Sequence, residues 1–341
     1  GLGGGSTPAG TSGRPPTELA ERRLGWPQGL EDVWDLREDL GHGSFGRVRR
    51  GRERWPVQLQ FAPGDRALQP GAVSEAAIKS VPKEPSARAK FVDPVGAHGR
   101  QLAKLRREAE CMRRLGDCPH AVHLLGLFED DTHAHFVIEL CTGGDLAHLL
   151  AQRRGGGGGK AEGGEVESRG WAEGEPEGTW LDGRLPEAEA AEVMYAVLKF
   201  LEACHGARVV FGDVKPANFL VKFALQGPAE ERGARAPLVV KGSDFGCSQL
   251  LDAGEDGAQQ FLRRRTGTPA YWAPEVFLRH YGPKADLWSA GVMMYQILCG
   301  RLPFWERVTD AKPRDIQAGV LMGDIATDTP EWRALSDEAR D

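Results

Sequence analysis

The chain has 341 residues, 40% hydrophobic and 27% charged, with a net charge of −6. That is too long for one small core and suits two lobes or one domain with insertions, and an acidic balance without a long basic run argues against a nucleic-acid partner. No run approaches the roughly 18 apolar residues of a membrane span, and the six cysteines, none in C-x-x-C spacing, read as reduced thiols of an intracellular, cytoplasmic protein. The sequence opens on Gly1, and Gly5 stands where a myristoylation motif would need Ser or Thr. Residues 1–16 are rich in Gly, Ser, Thr and Pro, so a disordered leader is expected over 1–32. Trp34–Leu40 and Arg47–Gly51 read as strands around a glycine loop, and Ala76–Val81 as a third. Gln101–Leu115 is a charged helix with Leu102, Leu105, Ala109 and Met112 on one face. His123–Phe128 and His135–Leu140 are two further strands. Arg153–Gly183 is a Gly/Glu-rich surface insertion. Its Trp171 and Trp180 are either incidental or a place where a partner docks. Pro186 suits the first position of a helix in which Met194, Val197, Leu198 and Leu201 form a buried stripe. Asp286–Leu298 is apolar nearly all round and reads as a core helix. The order is strand-rich, then helix-rich, an α+β pattern. The segments 58–73 and 82–99 lengthen connections between strands, and connections of that length are functional or disordered.

Two short motifs concentrate the chemistry. Asp213-Val-Lys215-Pro-Ala-Asn218 is followed downstream by Ser243-Asp244-Phe245-Gly246. Together they supply a carboxylate that can take a proton, a cation for a phosphate, and an amide and a carboxylate oxygen that suit Mg²⁺. D-x-K-x-x-N alone reads equally well as a solvated loop; the ordered second motif favours the catalytic reading. Leu40-Gly41-His42-Gly43-Ser44-Phe45-Gly46-Arg47-Val48 would let backbone amides approach phosphate oxygens. Dinucleotide-binding folds use a similar string before a helix, but here Arg47–Arg50 continues as a strand, favouring a hairpin. Lys79, at the end of its strand, is by itself an ordinary exposed lysine. Its functional reading needs a helix glutamate. Glu108, four residues before the apolar Met112, is the candidate and Glu110 the runner-up.

With Ala273-Pro274-Glu275 completing the order, the chain from about Val33 to Asp341 resembles the eukaryotic protein kinases. The resemblance implies a two-lobed fold: a β-rich N-lobe over 33–140 and a larger helical C-lobe over 141–341, cut short at its C-terminal end, with ATP between them. It implies Ile138 as gatekeeper, Glu139-Leu140-Cys141 as the hinge that reads adenine, and Val48, Ala77 and Leu220 around the ring. Leu40, Gly41, His42, Gly43, Ser44, Phe45 and Gly46 would cover the phosphates, Lys79 locked by Glu108 would position them, and Asn218 and Asp244 would hold Mg²⁺. Asp213 and Lys215 would act on the γ-phosphoryl group and the substrate hydroxyl, with Thr268 linking them. Gly267-Thr268-Pro269-Ala270-Tyr271-Trp272 and Lys215 resemble the serine/threonine type, with protein substrates and a monomeric state. Cys118-Pro119-His120-Ala121-Val122 and the closing Glu331 to Asp341 segment are similar to the calcium/calmodulin-dependent group, including the plant and algal calcium-dependent kinases, although no EF-hand loop is present.

The departures are specific. Phe211-Gly212 stands before Asp213 where the family has His-Arg. Phe211 is expected to prop Phe245 in a column with Met112 and Leu124. Gly212 removes the arginine that binds an activation-loop phosphate, so activity independent of phosphorylation at Thr266 is expected. Asp145 keeps one acid of the arginine-selecting set, while Ala217 and Gln296 replace two others. Glu275 is expected to lack its family arginine. The rival reading is a pseudokinase scaffold that binds ATP without efficient turnover.

Overall fold

In the computed structural model, which describes residues 23–43, 46–54, 74–93, 95–154, 183–223, 238–251, 260–304 and 313–341, a five-stranded antiparallel sheet forms the first lobe. A short helix α1 (Leu30–Val33) leads into β1 (Trp34–Gly43), β2 (Gly46–Glu53), β3 (Glu75–Pro82), β4 (Leu124–Glu129) and β5 (His133–Glu139), in the spatial order β1-β2-β3-β5-β4. Gly43 lies opposite Gly46 in the β1–β2 pair, so the glycine loop joins two antiparallel strands instead of opening a helix.

Strand β3 is buried on both faces. Alternation sends Ala76 and Ile78 to an outer cluster with Trp34, Leu125, Phe128 and Val137, while Ala77 and Val81 join the main core. Helix α2 (Ala87–Val92) and helix α3 (Ala97–Arg114) follow β3. Leu102, Leu105, Ala109 and Met112 of α3 are all buried, as their spacing predicts.

The second lobe is mostly helical. Helices α4 (Leu146–Arg154), α5 (Glu187–Gly206), α6 (Pro274–Phe277), α7 (Lys284–Cys299), α8 (Pro313–Met322), α9 (Pro330–Arg333) and α10 (Asp337–Arg340) surround short strand pairs. These are β6 (Val209–Val210) with β9 (Gln249–Leu250), and β7 (Phe219–Phe223) with β8 (Leu238–Gly242). Helix α5 packs on α7 and β8.

Several expectations are corrected. Residues 23–32 of the expected disordered leader are anchored to the lobe at two points: Leu24 is buried where Glu129 accepts the backbone N–H groups of residues 24–26, an acceptor that composition does not reveal, and Leu30 is buried beside Trp34. Residues 82–99 are not an unstructured connection. Ser86 Oγ caps α2 by accepting from Ala89 N, and α3 begins four residues before Gln101. Pro186 is the N-cap of α5, extended at ψ 146°, not its first helical residue. Leu198 is 47% exposed, whereas Met194, Val197 and Leu201 are buried. The segment 58–73 and most of the 153–183 insertion, Trp171 and Trp180 included, lie outside the described residues. All six cysteines are free thiols.

Candidate active site

The loop between β6 and β7 carries Asp213, Lys215 and Asn218. Its entry is fixed by Asp286, in the first turn of α7 and 1% exposed. The Asp286 carboxylate accepts the backbone N–H groups of Phe211 (2.9 Å) and Gly212 (2.8 Å) and contacts His205 Nε2 at 2.9 Å. Phe211 packs edge-on against Phe245 at 5.6 Å and against Phe200 at 5.0 Å. Met112 and Leu124 belong to the same core.

Asp213 is held at both carboxylate oxygens. Oδ1 accepts from Thr268 N at 2.8 Å, and Oδ2 accepts from Asn218 Nδ2 at 2.9 Å. Lys215 Nζ donates to Thr268 Oγ1 at 2.8 Å and lies 3.5 Å from Asp213 Oδ2. Thr268 therefore ties Asp213 to Lys215. Its approach depends on two glycines. Gly212 and Gly267 have φ of 77° and 87°, and a Cβ on Gly267 would sit 2.1 Å from the Gly212 carbonyl oxygen. Only residues without Cβ fit this crossing readily. Thr266 Oγ1 donates to the Cys247 carbonyl at 3.0 Å and closes the segment from the other side.

Across the cleft, Lys79 Nζ donates to Glu108 Oε1 at 2.7 Å and to Asp244 Oδ1 at 2.8 Å. Burial by itself would lower the Lys79 pKa, but Asp244 and Glu108 outweigh it and hold the ammonium above its ordinary range. Burial would raise Asp244, yet the Lys79 charge keeps it below the usual carboxylate range. Asp244 adopts φ 59°, an uncommon backbone for a residue with a side chain, and also accepts from Gly246 N at 3.3 Å. Glu108 is buried, whereas Glu110 faces outward and pairs with Arg114. Of the two candidates, Glu108 is thus the one beside Lys79.

Ala77 and Ile138 are buried register partners across β3 and β5, and Leu40, Val48, Cys141 and Leu220 pack half-buried against the same core. This is an apolar wall between two strand systems. At its edge, Glu139 pairs with Lys222 (2.6 Å) and Lys241 (2.9 Å). Burial works against the Glu139 charge, but these two lysines hold its carboxyl below the usual range. Burial, reinforced by Glu139, pushes the Cys141 thiol up to about 11. Backbone of Gly41, His42 and Gly43 ends β1 and Gly46 starts β2; Ser44 and Phe45 lie outside the described residues.

The donor set fits a hard cation. Asn218 uses its Nδ2 on Asp213, which leaves its amide oxygen as a donor, and Asp244 uses Oδ1 on Lys79 and Gly246. No group of three or more His, Cys, Asp or Glu among the described residues could hold a metal alone. Two oxygen ligands from protein, with phosphate oxygens completing the shell, is the usual arrangement for Mg²⁺. Asp286 was not among the residues singled out in the sequence. Its signal was an acid in the first turn of an otherwise apolar helix.

A protein kinase domain model matches residues 71–341. The chain is 29% identical to calcium-dependent protein kinase 6 of Oryza sativa subsp. japonica, over 98% of this chain and 50% of that protein. It is 30% identical to calcium-dependent protein kinase 25 of Arabidopsis thaliana, over 92% of this chain and 46% of that protein. The fold and the match define the class: this chain belongs to the protein kinase family, with the two-lobed kinase fold. Within it, the chain is similar to these calcium-dependent protein kinases, and it spans about half the length of those curated relatives. No helix among the described residues is long and apolar enough to cross a membrane.

Proposed function

We propose that this domain transfers the γ-phosphoryl group of ATP to serine or threonine hydroxyls of protein substrates. The observation that carries the reading is the knot of Asp213, Lys215, Asn218 and Thr268 facing the Lys79–Glu108–Asp244 chain. In this reading Asp213, fixed by Thr268 N and Asn218, orients the substrate hydroxyl and receives its proton. Lys215 steadies the transferring group, and Lys79, held by Glu108, positions the α/β-phosphates. Asn218 and Asp244 would hold Mg²⁺, which when bound neutralises phosphate charge. Ala77, Val48, Leu40 and Leu220 would sandwich adenine, with the hinge backbone at Glu139 and Cys141 reading its edge behind Ile138. Asp213→Asn keeps the shape and removes the base, so transfer should fall by about 10²–10⁴. The test is labelled-ATP transfer to a generic serine/threonine substrate. A variant rate near wild type refutes the assignment, and saturable ATP binding without transfer by wild type favours the scaffold reading.

The finer reading is a kinase without the arginine before the catalytic aspartate, active without phosphorylation at Thr266. Gly212 supports it, with Thr266 Oγ1 already engaged by the Cys247 carbonyl. Activity abolished by phosphatase and restored by phosphorylation at Thr266 would refute it. Weak selection for arginine in substrates is supported by two commitments. Asp145 Oδ1 accepts His148 N at 2.8 Å, and Gln296 Oε1 accepts the Tyr271 hydroxyl at 2.6 Å. A positional peptide library selecting arginine tightly would refute this.

A further inference from the structure

Glu129 ends β4 in phase with the buried Leu127, and its side chain is 2% exposed. A carboxylate buried this deeply needs both an opposite charge and hydrogen-bond donors. Lys83, 3% exposed, supplies the charge at 2.7 Å from Oε2. The other donors come from more than 100 residues away. Leu24 N donates to Oε2 at 2.9 Å, and Gly25 N and Trp26 N donate to Oε1 at 2.8 and 3.0 Å. Three consecutive backbone N–H groups converge on one side chain, and Gly25, at φ 81°, makes the turn that allows it. Glu129 N in turn donates to the Pro27 carbonyl at 2.8 Å.

The segment so fixed contacts a neighbour of each half of the Lys79–Glu108 pair. The Trp26 ring meets Phe136 edge-on at 5.5 Å, and Phe136 is the register partner of Lys79 across β3 and β5. Register partners project from the same face of a sheet, so Trp26 packs on the side where Lys79 meets α3. On the helix, Arg106 Nη2 donates to the Arg23 carbonyl at 2.9 Å, two residues before Glu108. Gln101 Nε2 also ties α3 to the sheet, donating to the Pro82 carbonyl at 2.8 Å. Leu24 is buried in the core that α3 shares with the sheet.

We propose that residues 23–27 form a strap that holds α3 against the sheet and so keeps Glu108 on Lys79, with Glu129 and Lys83 as the positioning residues that anchor it. The inference rests on the phosphoryl-transfer reading for its effect on rate, but the strap itself is measurable without activity. The experiment uses the full chain with Leu24→Ala and Trp26→Ala together, which removes the apolar anchors and leaves the Lys83–Glu129 pair intact. Amide hydrogen exchange is followed in α3 and α7, and kcat is measured with and without Glu108→Gln. Undocking should speed exchange in α3 by about tenfold, roughly 1.4 kcal/mol of local opening, and leave α7 unchanged. It should lower kcat by about tenfold with Glu108 present and by less than about twofold with Glu108→Gln, because the strap acts through that residue. Unchanged exchange in α3, or equal kcat losses in both backgrounds, overturns the proposal. A wild type with no transfer at all defeats the phosphoryl-transfer reading instead, while the exchange still decides the strap. Should the double variant not fold, Arg106→Met removes only the contact to Arg23. It should speed exchange in α3 by about threefold, and no change would again overturn the proposal.

Discussion

Two buried lysine–glutamate pairs grow from β3 and the residue that follows it, and they are finished differently. Lys79–Glu108 and Lys83–Glu129 both close at 2.7 Å, four residues apart along the chain. Around Glu129 both carboxylate oxygens are filled by the lysine and three backbone N–H groups. Around Glu108, Oε2 is buried without a donor among the described residues, and the lysine reaches onward to Asp244. A fully satisfied pair fixes geometry; a pair left with unused polar capacity beside a cleft is poised for a further charged group. The difference separates a clamp from a site, although charge, burial and distance are nearly the same in both.

The comparison breaks most visibly at Lys79. Lys79→Met should lower phosphoryl transfer by about 10²-fold, the scale expected when reacting groups are misplaced. A steady-state assay with varied ATP checks it, and a rate within a few-fold of wild type would place Lys79 outside the mechanism. At the second pair the main effect should fall on stability. Lys83→Met leaves Glu129 buried without its counter-charge and should cost about 3 kcal/mol, the low end for a broken buried pair because the three N–H donors remain. Urea unfolding measures it, and a loss below 1 kcal/mol would mean that the backbone donors suffice.

A smaller effect is expected at the crossing of the two glycines. Gly267→Ala must adopt φ near 87° and displace the Gly212 carbonyl, costing about 1–2 kcal/mol for the left-handed backbone alone. Gly291→Ala, on α7 with open space around the missing Cβ, serves as the control. Equal melting temperatures for the two variants would show that the crossing tolerates a side chain.

The smallest effect sharpens the clamp through pH. Burial would raise Glu129, but Lys83 and the Leu24 N–H outweigh it and hold its carboxyl below the usual range. A depressed carboxylate stabilises the fold fully above its unfolded value, about 4.3, and loses that contribution as pH falls toward the folded value. The stability gap between wild type and Glu129→Gln should therefore be largest near neutrality and narrow below about pH 4. A gap that stays constant to pH 3 would mean the carboxylate charge contributes nothing.

Much of the site was legible because its signals are local. Asp213, Lys215 and Asn218 lie within one loop, and Asp244 shares its motif with the phenylalanine that packs on Phe211. The buried face of α3 followed from its periodicity, since Leu102, Leu105, Ala109 and Met112 repeat at helical spacing. Periodicity also preferred Glu108 to Glu110 but could not exclude the latter; only packing, which buries one and turns the other toward Arg114, separates them. Leu198 shows the limit of the same signal: it fits the stripe of α5, yet it stays 47% exposed there.

What the sequence by itself determined is the class of protein, the order of the lobes and which candidate site residues share one short motif, because glycine loops, paired motifs and helical stripes depend on neighbours a few positions away. Only the tertiary structure decided that Asp286 receives the backbone of the loop before Asp213, and that residues 23–27 belong to the folded lobe. The reason is physical. A five-residue segment cannot repay its own ordering entropy from local contacts, and it is ordered here by burying Leu24, packing Trp26 on Phe136 and giving three N–H groups to the buried Glu129 carboxylate.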